Sequence, residues 1–134
     1  MARHTFIPFL AALAVACASV QGLRSEPLDA GEARFYAAPL GDVVAAARVA
    51  MQALQLGLKD TATVDSTTWM ALGSKGMSFS SYGELVRVVV HRTPEGPVAV
   101  RVVSKRRMAT NVFARNWTDS IFEQLDGILR HPQS

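Results

Sequence analysis

Few residues in this 134-residue chain are typed and spaced for chemistry. Histidines stand at 4, 91 and 131, and only His91 falls within a patterned segment. A metal centre needs several converging His, Cys or carboxylate ligands, and no such spacing occurs, so no metal and no cofactor is expected. Ser80 or Ser81 with His91 and an aspartate would make a small hydrolase, but neither serine sits in a Gly-x-Ser-x-Gly elbow. That hydrolase is the alternative; the expectation is a chain with no catalytic residue. Gly73-Ser74-Lys75-Gly76 lacks the earlier glycine and the Lys-Ser/Thr ending of a phosphate loop, so it reads as a turn. Glu84 and Glu95 fall at strand and turn ends, which suits solvated carboxylates rather than a glycosidase pair.

A basic cluster is the stronger lead. Seven positive residues lie between Tyr82 and Arg115 against Glu84 and Glu95, giving that stretch +5, while the chain as a whole carries +3. Arg87, Arg101 and Lys105 share the outward parity of neighbouring strands, so one exposed sheet face is expected to present them. Arg106 and Arg107 extend the patch, and Phe79 and Tyr82 could rim it with apolar surface. Such a patch suits an acidic protein face, an anionic lipid or an anionic polysaccharide. Nucleic acid is not expected as a partner of an exported chain.

Export is the reading of the first residues. Arg3 and His4 precede an apolar run from Phe6 to Val15, and small residues follow at Ala14 to Ala18. That is the layout of a secretory signal over 1–16, too short to span a bilayer, which takes about 20 apolar residues. Cys17, the only cysteine, stands where the apolar core ends. The arrangement resembles a bacterial lipobox, which implies a diacylglycerol on the Cys17 thiol and a permanent membrane anchor. Ala18 lacks the acidic character that retains such proteins at the inner membrane, so the expected place is the periplasmic side of the outer membrane. Cleavage after Ala16 or Ala18 by the ordinary peptidase would instead give a free secreted domain.

Periodicity supplies the positioning elements. Residues 17–33 read as a lipidated cysteine and a flexible tether, polar and broken by Gly22, Pro27 and Gly31, with a coil span of roughly 20 Å. A single domain is expected over 34–134. Arg34 to Ala37 is a short strand stopped by Pro39. Leu40, Val43, Val44, Ala47 and Leu54 recur at helical spacing, with Pro39 at the first helical position and Gly57 as the left-handed stop. Leu58–Asp65 and Thr67–Leu72 form a hairpin. Glu84–Arg92 and Val98–Lys105 alternate as antiparallel neighbours with one buried and one wet face. A last helix carries Trp117, Ile121 and Leu125 inward, with Asn116 as cap. The order β-α-β-β-β-β-α predicts an α+β fold: an antiparallel sheet of four or five strands covered on one face by two helices.

Ala38-Pro39-Leu40-x-x-Val43 leads through a helix to Leu56-Gly57-Leu58, and the valine strands end in Val100-Arg101-Val102 before a terminal helix. The chain resembles a group of small uncharacterised bacterial envelope lipoproteins, a domain-of-unknown-function family with a lipobox leader. Ser80-Ser81-Tyr82-Gly83-Glu84-Leu85-Val86 is similar to the aromatic-Gly-Glu strand entry in such proteins. The resemblance implies the α+β fold and the anchor, and it supplies no catalytic residue.

Overall fold

The computed structural model describes residues 20–76, 83–106 and 116–130. The expected leader over 1–16, Cys17, Phe79, Ser80, Ser81, Tyr82 and Arg107 lie outside the described residues, as does the side chain of Arg106. The elements are α1 (Val20–Arg24), β1 (Glu32–Tyr36), α2 (Leu40–Ala53), β2 (Gly57–Asp65), β3 (Thr68–Lys75), β4 (Glu84–Arg92), β5 (Val98–Arg106) and α3 (Thr118–Arg130). The fold is α+β. The strands form one five-stranded sheet in the order β1-β5-β4-β3-β2, antiparallel at each pairing. Among the described residues no helix is long and apolar enough to cross a membrane.

One face of the sheet carries the expected core. Val86, Val88 and Val90 of β4 lie beside Val98, Val100 and Val102 of β5 and Trp69 and Ala71 of β3. Above them α2 contributes Val43, Ala46, Ala47, Ala50 and Met51, and α3 contributes Ile121, Phe122 and Leu125. The alanines let α2 lie close to the sheet while the larger α3 residues fill the space beside it. Asn116 Oδ1 accepts a hydrogen bond from the Thr118 backbone N–H at 2.9 Å, which caps α3. Asp126 on α3 ties this layer to the edge strand by accepting from Arg34 Nη1 at 2.6 Å and from the Tyr36 hydroxyl at 2.8 Å. Burial first, and the Asp126 carboxylate second, push the Tyr36 phenol above its usual range.

The end of α2 departs from the sequence reading. Gly57 opens β2, and the left-handed residue is Gln55, with φ 58°. Leu56 N–H bonds Met51 O at 3.0 Å and Gln55 N–H bonds Gln52 O at 3.0 Å, the pair of bonds of a Schellman ending. Leu56 and Met51 are both buried, so the apolar contact that accompanies this ending fixes the register. Lys75 Nζ then donates to Leu54 O at 3.3 Å and Gln55 O at 3.4 Å, neutralising the carbonyl end of the helix dipole. The Gly73–Gly76 stretch expected as a turn is largely β3, and its lysine is a helix cap.

The second face of the sheet overturns two expectations. It is not wet: Met70, Leu72, Leu85, Val89 and Val103 are buried there around Leu23 of α1, with Ala30 packed alongside. Residues 20–31, expected as part of a free tether, therefore form a strap across the sheet and belong to the folded domain. The reason is that Leu23 has an apolar surface to enter and the strap carbonyls have cationic donors below them. Gly31 joins strap to β1 with φ 93°, and a Cβ there would stand 2.3 Å from Val102 O, so only glycine fits this corner.

Two outcomes in urea unfolding test these contacts. Gln55→Gly should stabilise the protein by about 1 kcal/mol by removing the left-handed strain of a residue with a Cβ. Arg87→Ala should destabilise it by about 3–5 kcal/mol, since it removes a buried cation that bonds three strap carbonyls, and amides of 23–30 should lose hydrogen-exchange protection.

Candidate functional site

The basic residues expected to face solvent hold the strap. Arg87 is 0 % exposed at the centre of β4. Its Nη1 donates to Glu26 O at 2.7 Å and Leu23 O at 3.3 Å, and its Nη2 donates to Pro27 O at 2.6 Å. These carbonyls include one at the C-terminal end of α1, where a cation is favoured. Burial lowers the Arg87 pKa. Arg101 Nη1 donates to Asp29 O at 3.0 Å, and the Lys105 ammonium pairs with the Glu26 carboxylate. On the other flank Arg24 pairs with Asp60 of β2. Arg87 is thus spent inside the molecule, while Lys105 and Arg101 hold the strap from partly exposed positions. The parity was right, and the partner is the chain's own strap.

The strap leaves two openings on that face, one beside Arg24 at the β2 flank and a more polar one at the far end. The register aligns Phe35, Ala99, His91 and Thr68 in a row across β1, β5, β4 and β3, a span of about 14 Å at the usual strand spacing. Leu28 and Asp29 of the strap stand on one side of this row and Thr93 on the other, with Asp65 at the β2 end. The result is a cleft of about 340 Å³ floored by Val89 and Ala99. Arg101 is the one residue of the expected basic patch that lines it.

His91 is half-buried in the cleft, and its Nδ1 lies 2.7 Å from Thr68 Oγ1. Asp65 Oδ1 accepts from Thr67 N–H at 2.8 Å and from Thr67 Oγ1 at 2.9 Å, closing the β2–β3 turn. These turn donors, the backbone one first, hold the Asp65 carboxyl below its ordinary value, and His91 adds a smaller push the same way. The hydroxyl bonded to His91 is that of Thr68, which is only 4 % exposed; Ser80 and Ser81 lie outside the described residues. Glu84, expected to be solvated, is also 4 % exposed. Among the described residues no three His, Cys, Asp or Glu side chains converge as a metal site would require.

Sequence reading singled out His91 and Arg101 but not their setting. Thr68 and Asp65 could have been found from the hairpin register, which faces Thr68 with His91. Leu28, Asp29 and Phe35 carry no such signal, because they reach the cleft only through the fold of the strap and the edge strand.

The Asp65 turn gives a pH signature. A folded-state pKa below the unfolded one contributes stability above about pH 4 and loses it as pH falls through the lower folded value. Asp65→Ala should therefore melt below the parent at pH 7, and the gap should narrow by pH 3; a pH-independent gap would show that the carboxylate charge contributes nothing. A scan against protein-family models matches no family, and a search of the curated proteins finds no match.

Proposed function

We propose that this chain is a bacterial envelope lipoprotein, anchored through Cys17, whose domain binds a component of the envelope and does not catalyse. The binding site in this reading is the cleft between the strap and the open row of the sheet. The observation that carries it is the assignment of the basic face. With Arg87 and Lys105 held to the strap, the cleft at Arg101 and His91 is the opening on this face that joins apolar surface to uncommitted polar groups. Binding is favoured over hydrolysis because the hydroxyl on His91 is the buried one of Thr68, poorly placed to meet a substrate.

The anchor rests on the basic start, apolar run and cysteine of residues 3–17. In this reading the strap brings the domain closer to the membrane than a free tether would. Cys17 to Val20 is three residue steps, at most about 11 Å of chain, and α1 follows at once. Ala18 next to the cysteine favours the outer membrane, facing the periplasm.

Intact mass of protein extracted from membranes of a bacterial host tests the anchor. The expected mass begins at Cys17 and includes a diacylglycerol with an acyl chain, and Cys17→Ser should move the protein from the membrane pellet to the soluble fraction. A lipid-free mass beginning at Ser19 or later would make it a secreted domain and overturn the anchor.

A further inference from the structure

We propose that the open cleft is a saccharide site that takes a neutral pyranose unit or a short chain of them, an inference that rests on the binding role proposed above. Its uncommitted polar groups are of both kinds. Arg101 spends one N–H on Asp29 O and keeps its others, while the Asp29 carboxylate has no hydrogen-bond partner among the described residues. His91 has Nδ1 on Thr68, which leaves Nε2 for a ligand. A sugar hydroxyl both donates and accepts, so such a set matches a polyol better than it matches an acceptor-only head group.

Charge points the same way. Asp29 and Asp65 outnumber Arg101 along the cleft, which disfavours a polyanion or a fatty acid carboxylate. The apolar part suits the C–H face of a sugar ring. Phe35 is 57 % exposed and Leu28 43 %, standing over the small floor of Val89 and Ala99. An aromatic face is negative, and axial C–H groups are its complement. A volume of about 340 Å³ and a row of about 14 Å leave room for one or two rings.

A peptide is the competing occupant, and the floor argues against it. Extended peptides gain affinity by pairing with a strand edge. Here the floor strands β5 and β4 are both paired on either side, so they offer no backbone register. The recognition must run through side chains, which is how sugars are held.

The test is a two-dimensional NMR titration of the full chain, purified in a non-glycosidic detergent, with N,N′-diacetylchitobiose, maltose and trialanine as probes. A neutral disaccharide should shift amides of 28, 35, 91, 99 and 101 with millimolar affinity or better. Phe35→Ala, an exposed position that should leave the melting temperature unchanged, should weaken this at least about fivefold. His91→Ala should weaken it as well, which guards against Phe35 acting only through the edge strand. Disaccharide binding untouched by either variant would place it elsewhere and overturn the inference. A response to trialanine alone would overturn the saccharide class and leave the cleft as a binding site. Silence toward all three probes would overturn the inference and the cleft reading together.

Discussion

A single guanidinium under the strap constrains much of this structure. Arg87 sits on the central strand and is fully buried, and its hydrogen bonds go to the carbonyl oxygens of Leu23, Glu26 and Pro27 rather than to a carboxylate. Burying an unpaired charge would cost many kcal/mol, so the site persists only while those dipoles stay in place. Two of those carbonyls also accept strap amides, Leu23 O from Glu26 N–H at 3.3 Å and Pro27 O from Ala30 N–H at 3.0 Å, so Arg87 adds to turns the strap makes for itself. Arginine and strap are thus mutually required. If the strap lifts, the guanidinium regains water but Met70, Leu72, Leu85, Val89 and Val103 lose their cover. Apolar burial therefore closes the strap and hydrogen bonding fixes its register.

This arrangement makes the sheet two-sided. An antiparallel sheet commonly keeps one wet face, and β4 breaks that habit by being buried from Glu84 through Val90. The helical layer covers one side with a broad apolar surface. The strap covers the other with one buried leucine, a few backbone turns and four cationic contacts. The second layer is thinner and more polar, and more of its order depends on side chains crossing long sequence distances.

That difference explains what could be read in advance. The two longer helices follow a 3.6-residue period and the central strands a period of 2, so the α+β order and the inward parity of Val86, Val88, Val90, Val98, Val100 and Val102 were legible. The strap has no period. Its Pro27, Gly22 and Gly31 and its charges are what a linker shows, and its single anchor Leu23 stands among polar neighbours. Arginines on an outward parity likewise look solvated unless the carbonyls that receive them are known. The cleft was half legible for the same reason: His91 and Arg101 follow from strand parity, whereas Leu28, Asp29 and Phe35 are brought in by the strap and the edge strand.

The cleft is also a consequence of where the strap must stop. Gly31 turns the chain onto the sheet edge beside Val102 and Val103, and β1 then runs along β5 as its neighbour. The strap cannot both enter the sheet there and cover the last row, so a cleft remains along Phe35, Ala99, His91 and Thr68. One wall of the opening is the strap, held by Arg101 to Asp29 O, and the floor is the sheet. A ligand touching wall and floor together must favour the closed strap over the lifted one by its own differential affinity. Occupation of the cleft and burial of Arg87 are then two readings of one equilibrium. Loosening the strap at its α1 end would weaken the site without any change in the residues that touch the ligand.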